Sequence, residues 1–271
     1  MVPSLCGDGT RAVGARGVTG NRPPRASSLR RFYEHLGPQA RFGEDRGRVQ
    51  LRLLRDALAG RTDATIVDLG CGEGTLCHRA AAEVPDGIVI GLDWTEASLR
   101  MASSRGTAVV LAGLDDADLP FADGSVDAVM ISEVIEHLVH IDHAMAEARR
   151  ILVPGGLLLL STPNLGAWFN RILLLFGVQP VFSEVSQIGV FGRPGSELAG
   201  HLRLFTRRAL RDFLRAHGFE RIRLRGATYH DVPRPLRSLD GLCARWPGLA
   251  AILVGSMHAP AVRRTEPGGP R

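Results

Sequence analysis

Residues 66–74, Ile-Val-Asp-Leu-Gly-Cys-Gly-Glu-Gly, constrain this chain more than any other stretch. A β-branched run, Thr65 to Val67, leads into Asp68 and then into glycines at 70, 72 and 74. The run reads as a buried strand, and the glycines as a tight turn opening into a helix over Thr75 to Glu83. Only glycine takes positive φ freely and leaves room for a bulky ligand against the backbone. A strand, glycine turn and helix at the front of an α/β unit form a nucleotide-cofactor site.

Downstream the chain alternates apolar runs with helical patterns. Strands are expected near 64–69, 87–92, 107–111, 126–131 and 156–162, with helices between them. That rhythm predicts a parallel sheet covered on both faces, with the ligand at the carboxyl ends of the strands. It stops after residue 162 in an aromatic and glycine-rich insertion, 163–200, and resumes with a helix over Thr206–His217. Thr206 is the expected N-cap of that helix and Gly218 its stop. Upstream, apolar spacing from Ser28 to Leu58 suggests two helices broken at Gly37-Pro38. The expected organisation is a basic, disordered arm (1–28), N-terminal helices (29–61), a catalytic domain (62–258) and a flexible tail (259–271).

A dinucleotide fingerprint would place its third glycine three residues after the second, whereas Gly74 follows Gly72 by two. That spacing, with Asp68 ahead of the turn, resembles the first motif of class I S-adenosylmethionine-dependent methyltransferases. The likeness continues in order through Ile88-Val89-Ile90-Gly91-Leu92-Asp93, Leu114-Asp115-Asp116-Ala117-Asp118-Leu119-Pro120-Phe121, Ser125 to Ser132 and Pro154 to Leu160. The resemblance implies a Rossmann-like, seven-stranded, mostly parallel sheet. Strands near 219–226 and 250–257 complete it, and the last strand is antiparallel. It also implies S-adenosyl-L-methionine as cofactor, held by Asp68, Gly70, Cys71, Gly72, Gly74, Asp93, Trp94, Leu114, Asp115 and Ser132. Asp93 would grip the ribose hydroxyls and Asp115 the adenine amino group.

Past the fourth strand comes Glu133-Val134-Ile135-Glu136-His137. On a helical turn Glu133, Glu136 and His137 would share one face. With His201 they resemble the metal site of two methyltransferase groups, one acting on the terminal 2′-hydroxyl of small RNAs, the other on polyprenylated catechols in ubiquinone biosynthesis. Two imidazoles with carboxylates favour Mn²⁺, Fe²⁺ or Zn²⁺ over Mg²⁺. Without metal, His137 and Glu133 are the candidate catalytic pair, His137 being a general base or a packing residue.

The acceptor is expected to be a small or lipophilic molecule, methylated at a hydroxyl oxygen. Two other readings stay open: an RNA 2′-hydroxyl methyltransferase using the same quartet, and a cofactor-binding adapter without turnover. Trp168, Phe169, Ile172, Leu173 and Phe176 fall at helical spacing, which fits a lid packed on the domain or an interfacial helix making peripheral membrane contact through 168–182. All 33 basic residues are arginine, and twelve lie in residues 1–61 against five acids. That concentration suits a solvated arm better than a nucleic-acid groove. The cysteines (6, 71, 77 and 243) show no metal or disulfide spacing and point to a reducing compartment. The first 28 residues lack the apolar core of a signal peptide, and Ile172 to Val178 is far too short to span a bilayer. A cytoplasmic location is therefore expected.

Overall fold

The computed structural model describes residues 43–261 except 116, 187, 196 and 197. The expected arm, the helix before Gly37-Pro38 and the tail from 262 lie outside the described residues. Within them the order is α1 (Glu44–Ala57), β1 (Thr65–Leu69), α2 (Thr75–Ala81), β2 (Ile88–Asp93), α3 (Glu96–Ser104), β3 (Ala108–Leu111) and β4 (Val126–Ser132). There follow α4 (Ile141–Ile151), β5 (Leu152–Pro163), α5 (Trp168–Leu175), α6 (Arg207–Ala216), β6 (Glu220–Ala227), a 3₁₀ turn (Arg234–Leu236), α7 (Arg237–Cys243) and β7 (Ile252–His258).

The seven strands form one sheet in the order β3-β2-β1-β4-β5-β7-β6. Strands β1 to β5 are parallel, while β7 runs antiparallel to both β5 and β6. This is the seven-stranded Rossmann-like sheet expected from the sequence. Strand direction sends alternate side chains to opposite faces, and the core divides accordingly. Leu69, Ile131, Leu158 and Leu160 pack with α4 and α6 through Met145, Ile151, Leu210 and Leu214. Their neighbours Ile66, Met130, Leu157 and Leu159 pack with α1 and α2 through Leu53, Leu54, Leu76 and Ala80. Burial on both faces explains why these strands read as mainly apolar runs.

The chain leaves β1 toward β2 and β3 on one side, and β4 toward β5 on the other. The strand order therefore reverses between β1 and β4, and a crevice opens there at the carboxyl ends. The 70–74 loop, Asp93 and the 132–137 segment all reach that edge. One connection departs from expectation: among the described residues no helix forms between β3 and β4. Gly113 and Pro120 disfavour one, and the loop is held from outside instead. Glu147 accepts from Leu119 N at 2.6 Å, while Arg150 donates to the Leu119 and Phe121 carbonyls at 2.9 and 2.8 Å. The later helix begins as its residues require. Thr206 Oγ1 accepts from Ala209 N at 3.2 Å, and Gly218 stops the helix at φ +78°.

Candidate functional site

The glycine loop takes the strained backbone that its residues permit. Gly70, Gly72 and Gly74 have φ of +78°, +53° and +75°. A Cβ at Gly70 would sit 2.4 Å from Val134 Cγ2, and one at Gly74 2.7 Å from Ala102 Cβ, whereas at Gly72 nothing lies within 4 Å. The outer two glycines thus let the loop lie flat on its neighbours, and the middle one faces open space. The loop is fastened to β2, because Gly70 N and Cys71 N both donate to the Leu92 carbonyl. Asp93 completes the fastening: Oδ2 accepts from Gly72 N at 3.0 Å and Oδ1 from Thr95 N at 2.8 Å. Burial pushes its carboxyl upward against those hydrogen bonds. Trp94 follows, half-buried.

Asp68 is buried beneath the loop and accepts from Cys77 Sγ at 3.3 Å, while its Oδ1 has no hydrogen-bond partner. Burial raises its pKa to about 7. The sign follows: the folded pKa lies above the unfolded value, so Asp68 favours folding below that value, and this contribution is lost as pH rises through about 7. A cationic ligand beside it would oppose the loss. Affinity for a sulfonium cofactor is accordingly expected to increase as pH rises through about 7, and Asp68→Asn should flatten that profile in calorimetry. A wild-type profile already flat across that range would remove Asp68 from the cofactor's charge balance.

The other expected cofactor residues are placed less uniformly. Leu114 is buried, and Asp115 Oδ1 accepts from His140 N at 2.8 Å, so the carboxylate braces the turn before α4. It lies at the rim of an open cavity of about 400 Å³ lined also by Val139, His140, Asp142 and His143. Ser132 Oγ accepts from Gln50 Nε2 at 2.7 Å. Gln50, fully buried on α1 with its Oε1 unpartnered, was missed by the sequence reading. A lone glutamine among apolar helix positions was the available signal.

At the reacting end the structure changes one expectation. Residues 133–137 are a turn, not helix, and Glu133 has φ +58°, so the shared helical face of Glu133, Glu136 and His137 does not form. Left-handed backbone re-aims Glu133, which pairs with Arg46 of α1 at 3.3 Å. The groups that converge are Glu136, His137 and His201, whose ligand atoms all lie within 4.8 Å of one another. Two backbone bonds, from Leu202 N and Arg203 N to the Glu136 carbonyl, join the 133–138 turn to the segment carrying His201.

Glu136 is fully buried. Its Oε2 accepts from Thr162 Oγ1 at 3.0 Å, and its Oε1 has no hydrogen-bond partner. Burial, then the charge of Glu133, holds its carboxyl well above the usual range. Burial also pulls both imidazoles down, His137 to about 3. His201 Nδ1 bonds the Phe182 carbonyl at 2.9 Å and His137 Nδ1 the Gly200 carbonyl at 3.3 Å. A carbonyl only accepts, so each Nδ1 carries the proton and each Nε2 presents a lone pair. An orphaned carboxylate oxygen with two such nitrogens is a donor set for a cation.

The sequence reading also missed what holds His201. Glu184, the sole acid between residues 163 and 196, is buried in the insertion. Its carboxylate accepts from Ala199 N, Gly200 N and His201 N at 2.6, 2.6 and 3.0 Å, and pairs with Arg193 at 3.2 Å. Beside His201 stands an aromatic wall, with Phe182 at 6.2 Å between ring centroids and Tyr229 and Phe169 edge-on to Phe182 at 5.0 and 6.0 Å.

Comparison with known proteins places these features in context. Residues 67–160 match the family model described as a methyltransferase domain. The chain is 30% identical over 194 residues to a ubiquinone/menaquinone biosynthesis C-methyltransferase of Dinoroseobacter shibae, covering 67% of this chain and 76% of that one. It is 32% identical over 159 residues to a ubiquinone biosynthesis O-methyltransferase of Mesorhizobium japonicum, covering 55% and 59%. Two further curated relatives are matched over only 36% and 44% of their own length. Among solved structures, a chain in the complex of the Haloferax volcanii Trm112 methyltransferase activator with a methyltransferase superposes with TM-score 0.60 at 18% identity, covering 88% of this chain and all of that one. At that identity the likeness is one of fold.

Proposed function

Since the chain belongs to the class I S-adenosylmethionine-dependent methyltransferases, we propose that it methylates a hydroxyl oxygen of a lipophilic acceptor. The observation that carries the reading is the convergence of Glu136, His137 and His201 beside the crevice. Methyl transfer is an in-line displacement. The acceptor oxygen bonds to the sulfonium methyl carbon as the carbon–sulfur bond breaks, leaving a neutral thioether. Little is needed beyond alignment, exclusion of water and removal of the hydroxyl proton.

The loop at 70–74, Asp68 and Asp93 would fix the cofactor, while the turn at 133–137 and the 199–203 segment would face the acceptor. A carboxylate oxygen of Glu136 and one imidazole nitrogen each of His137 and His201 fit a divalent metal, and their nitrogen-rich chemistry suits Mn²⁺, Fe²⁺ or Zn²⁺. When bound there, such an ion lowers the pKa of a hydroxyl in contact with it. The aromatic wall of Phe182, Tyr229 and Phe169 supports an apolar, ring-bearing acceptor. The relatives named for O- and for C-methylation support both chemistries, and the polar trio favours oxygen.

The test is transfer from methyl-labelled cofactor into a fractionated cell extract. Label is expected in the organic phase, bound as an ether stable to mild alkali. Label confined to RNA, or attached to carbon, would overturn the assignment.

A further inference from the structure

Helix α7 has a covered side and a bare one. Asp240 and Cys243 are buried, Asp240 accepting from Trp168 Nε1 at 2.9 Å and from Tyr229 N at 3.0 Å. On the other side Leu239 and Leu242 are 41% and 47% exposed, continued by Leu236 of the preceding 3₁₀ turn at 41% and by Trp246 in the turn after the helix at 54%. Their spacing of three, three and four residues makes one stripe. Exposed arginines 234, 237 and 245 flank it, and Asp240, the sole acid between 232 and 246, is hidden beneath. Large apolar side chains in a continuous exposed row mark an interaction surface.

One neighbouring feature extends it. A shallow groove of about 560 Å³ opens beside Trp246, walled by Pro247, Gly248 and Leu249 with Arg207 at its edge. The surface is thus apolar, rimmed by cations and free of exposed acids along 232–246. A second copy of the chain would bring arginines against arginines. An anionic bilayer instead takes the leucines and tryptophan at its acyl boundary and the guanidinium groups among its phosphates. Among the described residues no helix is long and apolar enough to cross a membrane, so the contact would lie flat.

We propose that the Leu236–Leu239–Leu242–Trp246 stripe and the groove beside it form a docking surface for an anionic lipid bilayer. It deepens the reading of a lipophilic acceptor and rests on it only for its purpose, since membrane docking brings such a substrate within reach.

The experiment is flotation of the full chain, without cofactor or acceptor, on phosphatidylcholine vesicles with and without one-third phosphatidylglycerol. The wild type should float with the anionic vesicles and much less with neutral ones. Leu242→Ser with Trp246→Ala should lower partitioning about tenfold. Arg234→Gln with Arg245→Gln should lower it about thirtyfold on anionic vesicles and leave the neutral ones unchanged. All these side chains are exposed, and circular dichroism with cofactor titration confirms that each variant is folded. Equal flotation of all three proteins, or none by the wild type, would overturn the proposal. So would a wild-type dimer in sedimentation that the stripe variants dissociate. Because no methyl transfer is measured, failure here leaves the acceptor reading standing, whereas label on RNA would remove the reading and leave the surface.

Discussion

Replacing His137 with alanine is expected to lower kcat by about 10²- to 10⁴-fold while cofactor affinity changes by less than about threefold. The separation follows from geometry. The cofactor loop is fastened to β2 and Asp93, whereas His137 belongs to the turn joined to the 199–203 segment. His137→Ala removes one of three converging donors and leaves the glycine loop untouched. If the trio holds a cation, purified wild type should contain Mn, Fe or Zn by elemental analysis, and His137→Ala and His201→Ala should both be depleted of it. Chelator should then cost the wild type about as much activity as the substitution does, with Mn²⁺, Fe²⁺ or Zn²⁺ restoring it. A His137→Ala enzyme of normal kcat would strip the trio of its chemical role. A metal-free wild type at full activity would leave His137 as a plain base or a packing residue.

Gly70→Ala should be among the most damaging single substitutions in the cofactor loop. A left-handed backbone costs a residue with a Cβ about 1–2 kcal/mol, and an overpacked contact adds about 1–3. Here both apply, because φ is +78° and the new methyl would lie 2.4 Å from Val134 Cγ2. The expected destabilisation is about 2–5 kcal/mol, with cofactor binding lost at ordinary concentrations. Val134→Ala in the same chain separates the two causes. It should return the packing part and leave the backbone part, so the double variant should be more stable than Gly70→Ala alone in denaturant unfolding. Equal stability would mean that crowding against Val134 contributes nothing.

The parts of this protein that could be read from its residues are those whose cause is local. Strands buried on both faces need mainly apolar runs, so Ile66–Leu69, Val126–Ile131 and Leu157–Leu160 announced themselves, and the glycines named their own turn. Thr206 and Gly218 marked the ends of α6 for the same reason. What escaped notice depends on partners far away in the chain. Nothing in the residue type of Glu133 signals φ +58°, yet that angle decides which acids and imidazoles meet. Gln50 gains its meaning from Ser132, 82 residues on, and Glu184 from three amide groups beyond a glycine-rich stretch. The link between β3 and β4 read as part of an alternating rhythm, but it is shaped by Glu147 and Arg150 of α4.

Glu184 carries a further consequence. One carboxylate grips three successive amides, so the position of His201 is set by a clasp rather than by the length or course of the residues leading to it. Apart from Phe182, whose carbonyl bonds His201 Nδ1, the segment between the clasp and α5 is thereby released from duty to the imidazole. It can lengthen, shorten or change its side chains to suit a different molecule while the reacting end stays in register. A lineage built on this plan could diversify what it accepts without redesigning how it reacts.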